Sequence, residues 1–183
     1  MRIIGGLYKG RRLHPPNNLP VRPTTDLARE SLFNILNNRI DFEGLRVLDL
    51  FAGTGSISFE FASRGAAEII AIDRNPQCLT FILQTANLFG IENIKVLKGN
   101  VLKWLPRLKG PFDIIFADPP YDMKELPDIP QKVLELNLLD NEGIFIMEHD
   151  ARHLFNELED FRELRKYGKV HFSFFTKIKP DYQ

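Results

Sequence analysis

The residues with the clearest chemical potential are Asp118-Pro119-Pro120-Tyr121, directly after the apolar run Phe112–Ala117. Two consecutive prolines fix the backbone there. The Asp118 carboxylate and the Pro119 carbonyl are then two rigid hydrogen-bond acceptors side by side. Such a pair suits an amino group on a heteroaromatic base. That nitrogen is a poor nucleophile, because its lone pair delocalises into the ring. Two fixed acceptors can hold it with the lone pair aimed at an electrophile, and orientation of this kind is worth about 7–11 kcal/mol in favourable cases. Tyr121 offers a ring on which the base can stack, worth roughly 1–3 kcal/mol. The blander reading is a proline-rich loop after a strand.

A second cluster is Asp49-Leu50-Phe51-Ala52-Gly53-Thr54-Gly55-Ser56. Gly53 and Gly55 let the chain turn sharply and let a ligand approach the main chain along Phe51, Ala52 and Thr54. A dinucleotide fingerprint needs a third glycine three positions on, and that position is Ser58. Asp49 suits a cationic ligand better than a pyrophosphate. The sulfonium and ammonium of S-adenosylmethionine would supply such charges. About 20 residues later Asp73-Arg74 ends the next apolar run, where a carboxylate can accept both hydroxyls of a ribose. Gly99-Asn100-Val101 follows the third run, where Asn100 can meet an adenine through its amide. An asparagine in a turn explains Asn100 nearly as well.

These residues need a scaffold that brings them to one edge. From residue 46 the chain alternates short apolar runs with amphipathic stretches. The runs Arg46–Leu50, Glu68–Ile72, Ile94–Leu97, Phe112–Ala117 and Gly143–Met147 read as strands buried on both faces of a parallel sheet. Between them lie helices, the clearest opening at Asn75-Pro76, a capping residue followed by proline in the first turn. Pro23-Thr24-Thr25-Asp26 reads as another helix start, with Ala28, Leu32, Ile35 and Leu36 at helical spacing. Lys169–Ile178 reads as a final, antiparallel strand. The expectation is an α/β architecture with the ligand at the carboxyl ends of the strands.

The chain of 183 residues has no net charge. The charge is uneven, however. Arg2, Lys9, Arg11, Arg12, Arg22 and Arg29 outweigh Asp26 and Glu30 in residues 1–30, leaving +4 there and −4 in the remainder. A basic arm over residues 1–22, rich in glycine and proline, could hold a hairpin and contact a polyanion. A solvated arm is the alternative. Cys78 is the lone cysteine, which excludes an internal disulfide and suits a reducing cytoplasm. No apolar run approaches the roughly 20 residues of a membrane span, and no signal-peptide core opens the chain. His14, His149, His153 and His171 form no metal-ligand pattern with Cys78, so no metal is expected.

Together the motifs resemble the class I methyltransferases that carry a D/N-P-P-Y/F tetrapeptide. More closely, the chain resembles the bacterial RsmD family, which methylates the 2-amino group of a guanine in small-subunit ribosomal RNA. The resemblance runs through Arg2-Ile3-Ile4-Gly5-Gly6, Gly10-Arg11-Arg12-Leu13, Arg22-Pro23-Thr24-Thr25-Asp26, Arg29–Leu36, Asp49–Ser56, Ser63-Arg64-Gly65-Ala66 and Asp118–Tyr121. It implies a Rossmann-like, mostly parallel seven-stranded sheet with helices on both faces, in one domain over residues 1–183. It implies an S-adenosylmethionine site at Asp49, Phe51, Ala52, Gly53, Thr54, Gly55, Asp73, Arg74, Asn100, Val101 and Asp118, with S-adenosylhomocysteine as product. Asp118, Pro119 and Tyr121 would hold the guanine. Arg2, Lys9, Arg11, Arg12, Arg22 and Tyr121 would meet RNA, within a partly or fully assembled small subunit, and nothing demands more than a monomer. The helix from Thr25 would pack over the cofactor. Asp73 stands where a glutamate is common in the family, and Asn100 where an aspartate is common. Rival readings are an adenine-DNA or protein-glutamine methyltransferase, a nicotinamide oxidoreductase, and a non-catalytic RNA-binding module. The arm, Ser58 and the intact site residues argue against each in turn. Glu148, at the end of the fifth apolar run, points to the same edge and reads as structural.

Overall fold

A computed structural model describes residues 1–16, 19 and 25–177. Its centre is a seven-stranded sheet in the order β3-β2-β1-β4-β5-β7-β6. The strands are β1 (Arg46–Leu50), β2 (Glu68–Asp73), β3 (Ile94–Lys98), β4 (Phe112–Ala117), β5 (Leu139–His149), β6 (Phe161–Tyr167) and β7 (Val170–Phe175). β1 through β5 pair in parallel. β7 runs antiparallel to both β5 and β6. The mostly parallel sheet and the antiparallel final strand agree with the expectation.

Alternation along each strand divides the core into two layers. Val47, Ile114, Phe116, Ile146, Phe172 and Phe174 face one way. They pack against α1 (Asp26–Asn37), α2 (Ser56–Ser63) and α3 (Pro76–Phe89). Leu48, Leu50, Ile115, Phe145, Met147 and Phe175 face the other, against α4 (Val101–Trp104) and α5 (Ile129–Glu135). Both faces of the sheet are therefore covered, as parallel strands require.

The helix starts follow their sequence signals. Thr25 caps α1 by accepting from Ala28 N. Asn75 caps α3 by accepting from Gln77 N, with Pro76 in the first turn. The strands depart from the sequence reading chiefly at β5, β6 and β7. β5 begins at Leu139, through the turn-like Asp140-Asn141-Glu142, because Phe112 and Leu139 extend the β4–β5 pairing past an irregularity in register. β7 is shorter than expected and ends at Phe175, and Ile178 lies outside the described residues. β6 carries no clear strand signal, because Phe161-Arg162-Glu163-Leu164-Arg165-Lys166-Tyr167 is half-exposed and highly charged. Charge of that kind is common on an edge strand, where it discourages pairing with another chain.

The N-terminal arm is folded onto this core. Arg2 and Arg12 form an antiparallel bridge, with Gly10 N bonded to Ile3 O at 2.8 Å and Leu13 N to Met1 O at 3.0 Å. Ile3 and Leu13 are buried. Glu60 on α2 is the clamp, because its Oε1 accepts from Ile4 N at 2.7 Å and its Oε2 pairs with Arg64. The fully buried Arg29 of α1 lies 3.5 Å from Glu60 and donates to Arg2 O at 2.7 Å.

Candidate active site

Because β1 to β5 are parallel, the residues that follow them gather at one edge of the sheet. The chain reverses its direction of travel across the sheet between β1 and β4, where such folds open a crevice. The glycine turn follows β1 and the tetrapeptide follows β4. Only one strand pairing separates them, with Leu50 opposite Ala117 and Asp118 N bonded to Leu50 O at 3.4 Å.

The turn is built under steric constraint. Phe51 has φ +67, and Gly53 and Gly55 follow with φ +54 and +72. A bulky residue in that region costs on the order of 1–3 kcal/mol. Neighbouring bonds hold it: Ala52 N to Ile72 O at 2.9 Å and Gly55 N to Ala52 O at 2.7 Å. A Cβ on Gly55 would stand 2.7 Å from Ile82 Cγ1. Gly55 is thus needed for packing α2 against α3 as well as for the turn. Thr54 is buried, and its hydroxyl approaches Met1 Sδ at 3.9 Å. The arm therefore begins beside the glycine turn.

Asp49 is 1% exposed and accepts from Ser58 Oγ at 2.6 Å. Burial raises its pKa to about 7, opposed by the Ser58 hydrogen bond and assisted by the charge of Asp73. An anion so poorly solvated is a good partner for a cation. Asp73 accepts from Gly53 N at 2.8 Å on one oxygen and from Asn75 N at 2.7 Å on the other. Each carboxylate oxygen keeps a second lone pair for a ligand hydroxyl. Asn100 is exposed, and its side-chain oxygen accepts from Leu102 N at 2.8 Å as the cap of α4. Ala52 and Val101 are buried, while Arg74 is exposed.

On the other side of the crevice, Asp118 is half-buried, Pro119 buried and Pro120 exposed. Tyr121 is half-buried and donates its hydroxyl to Glu148 Oε1 at 2.8 Å. Burial first, then the charges of Glu148 and Asp118, push the phenol well above its ordinary value. The Tyr121 carbonyl accepts from Arg152 Nη2 at 3.1 Å and lies 3.4 Å from His153 Nε2. Next to Glu148, the buried His149 bonds to Asp150 O at 2.8 Å and to Ser173 Oγ at 2.7 Å. Burial holds the His149 pKa below its usual value.

The sequence reading did not identify Ser58, Arg152 or His153 as parts of the site. Ser58 lies nine residues after Asp49, so no short motif links them. Arg152 and His153 reach Tyr121 only through the return of the chain after β5. Of the expected RNA-contacting residues, Arg2, Lys9, Arg11 and Arg12 are exposed. Arg11 also has a packing role. Its guanidinium lies 5.1 Å from the Tyr8 ring and 4.9 Å from the Phe89 ring, and it donates to Phe89 O. Arg22 lies outside the described residues. A cleft of about 470 Å³ lined by Asn37, Phe42, Ser63 and Arg64 lies at the opposite end of the sheet and holds none of the expected site residues. Among the described residues, no three His, Cys, Asp or Glu side chains gather as metal ligands, and no helix is long and apolar enough to cross a membrane.

Known proteins are similar to this chain in sequence and in fold. The family model described as conserved hypothetical protein 95 matches residues 1–176. The chain is 28% identical over 184 residues to ribosomal RNA small subunit methyltransferase D of Buchnera aphidicola, covering 97% of this chain and 92% of that protein. It is 34% identical over 143 residues to the protein of the same name from Escherichia coli K12, covering 78% and 68%. Among solved structures, a putative methyltransferase from Escherichia coli, yhhF, superposes with a TM-score of 0.83 at 29% identity, covering 96% of each chain.

Proposed function

We propose that this chain, which belongs to the conserved hypothetical protein 95 (RsmD) family of S-adenosylmethionine-dependent methyltransferases, methylates the 2-amino group of a guanine in small-subunit ribosomal RNA. One observation carries the reading. The rigid acceptor pair Asp118 and Pro119 lies one strand away from a glycine turn backed by a buried carboxylate. The geometry suits an amine brought to a cationic cofactor.

The residues fit that cofactor. Asp49 offers a desolvated negative charge for its cationic end, and Asp73 offers acceptors for its ribose. The main chain of Phe51–Gly55 forms the wall between them, and the amide of Asn100 and the backbone at Val101 border the adenine, with Arg74 at the rim. S-adenosylmethionine supplies an electrophilic methyl group. The chain's own residues do the rest. Asp118 and the Pro119 carbonyl hold the two amine hydrogens and turn the nitrogen lone pair toward the cofactor side. Tyr121 supports the face of the extracted base, since base-modifying enzymes take their target out of the stack. In this reading Asp118, as the acceptor that holds the amine, takes its proton only as a weak base, since an ordinary carboxylate is one near pH 7, and release to water serves equally well. Arg2 and Arg12, facing each other across the bridge beside the glycine turn, meet RNA phosphates, with Lys9 and Arg11 further along the arm. The RNA is presented in a partly or fully assembled subunit, to a monomeric enzyme working in the cytoplasm as one domain.

The test is transfer of radiolabelled methyl groups from S-adenosylmethionine into small ribosomal subunits from cells lacking this gene, with DNA and total protein as parallel acceptors. Label in N2-methylguanosine is expected. Label only in DNA or protein would overturn the substrate assignment while leaving the fold and the cofactor.

A further inference from the structure

Glu148 is near the carboxyl end of β5, on the strand beside the one that leads into Asp118. It is 3% exposed. A carboxylate so buried is costly without hydrogen-bond donors, and the Tyr121 hydroxyl is one of them, at 2.8 Å. The main chain of Tyr121 is also held, through the bonds from Arg152 and His153 to its carbonyl. Arg152 is itself set by Asp150, whose oxygens accept from Arg152 N at 3.0 Å and Nε at 2.6 Å. The phenol end and the main-chain end of Tyr121 are thus both anchored by the last residues of β5 and the turn beyond them. Burial and the charge of Glu148 push the phenol well above its ordinary value, which keeps its hydroxyl proton in place as the donor to Glu148 Oε1.

We propose that Glu148 is a positioning residue for methyl transfer: by accepting the Tyr121 hydroxyl, it fixes the ring against which the target base stacks. The inference rests on the reading of the site as a base-methylating centre. Glu148 meets neither the amine nor the cofactor in this scheme and acts through Tyr121. Stacking alone needs only the ring, and phenylalanine would provide that. The hydroxyl adds an anchor at the far end of the ring, so the base plane is set before the base arrives. A platform free to swing would leave the amine displaced from the acceptors on Asp118 and Pro119, and a misplacement near 1 Å costs on the order of 10²-fold in rate.

The experiment is a double-mutant cycle on methyl transfer to small ribosomal subunits, using Glu148→Ala, Glu148→Gln, Tyr121→Phe and Tyr121→Phe/Glu148→Ala. It reads kcat, KM for the subunit and cofactor affinity, with each variant's melting temperature as a check on folding. Glu148→Ala is expected to lower kcat about 10- to 100-fold with cofactor affinity unchanged. Glu148→Gln keeps an acceptor oxygen and should stay within about 3-fold of the parent. In the Tyr121→Phe background, Glu148→Ala should cost less than about 3-fold, because the contact is already gone. The same factor in both backgrounds overturns the proposal. So does a Glu148→Gln variant as inactive as Glu148→Ala, which would mean that the charge itself is required. If Glu148→Ala does not fold, Tyr121→Phe/Glu148→Leu removes both polar partners together, a change proteins tolerate far better. That variant should match Tyr121→Phe within about 3-fold, and a further loss above about 10-fold overturns the proposal. The labelled nucleoside separates the two levels of inference. If the parent enzyme labels an acceptor other than guanosine, the substrate reading falls and the cycle, run on that acceptor, still judges Glu148. If N2-methylguanosine forms and the cycle is additive, the Glu148 proposal falls alone.

Discussion

On the β1–β3 side of the crevice, polar side chains are held by bonds that reach 2 to 20 residues along the sequence. Ser58 holds Asp49, the N–H groups of Gly53 and Asn75 hold Asp73, and the cap at Leu102 holds Asn100. On the β4–β5 side the bonds span more of the chain. Tyr121 is tied to Glu148, Arg152 and His153, 27 to 32 residues away. The first side is completed within adjoining strand–turn–helix units. The second is complete only when β5 and the turn after it have docked against the tetrapeptide loop. A cofactor pocket built locally should persist when the acceptor side is damaged, and the acceptor side should be the more sensitive to single changes.

Asp118→Ala is the strongest way to break that contrast. It should lower turnover at least ~10²-fold, while calorimetry finds cofactor affinity within about 2-fold of the parent. A parallel loss of affinity would mean that the two sides are one coupled unit, and full activity would remove Asp118 from its assigned role.

Asp49→Asn examines the other side through pH. Burial raises the Asp49 pKa from 3.8 to about 7. A cationic ligand favours the ionised form, so the parent's cofactor affinity should rise with pH up to about 7 and then level off. The variant should lose that rise and bind about 10-fold more weakly at pH 8, since one pKa unit corresponds to about 1.36 kcal/mol. For the ligand-free fold the sign is opposite. A folded pKa above the unfolded value contributes stability below pH 3.8 that is lost as pH rises through about 7. The variant should therefore melt higher than the parent at pH 8 and show no such advantage near pH 3.8. Equal pH dependence in both proteins would contradict the assigned burial.

The smallest effect separates contact from packing within the arm. Arg2→Ala with Arg12→Ala should reduce the slope of log binding constant against log salt by about 1–2 for the small subunit, with little change in melting temperature. Arg11→Ala should lower the melting temperature, because that side chain lies against Tyr8 and Phe89. Its effect on the salt slope should be the smaller of the two. The reverse pattern would exchange their roles.

Much of the scaffold is legible because its signals are local. Val47-Leu48-Asp49-Leu50 and Ile114-Ile115-Phe116-Ala117 are apolar enough to be buried on both faces. Asn75-Pro76 and Thr25-Asp26 carry their own caps, and both became helix starts. Asp49, Asp73 and Asp118 lie at or just past the ends of apolar runs, so parallel pairing alone carries them to one edge. β6 was not legible, since its charged, half-exposed residues carry little hydrophobic period and the strand exists through pairing with β7.

The sequence by itself therefore determined the order of the elements, the edge at which the site lies and the residue types offered there, because helix and strand periodicity are properties of a few consecutive residues. Only the tertiary structure decided that Ser58 faces Asp49, that Glu60 and Arg29 fasten the arm, and that Glu148 holds Tyr121. Those contacts join residues through buried space, where an unsatisfied polar atom is expensive and each must find whichever partner the packed chain brings within about 3 Å.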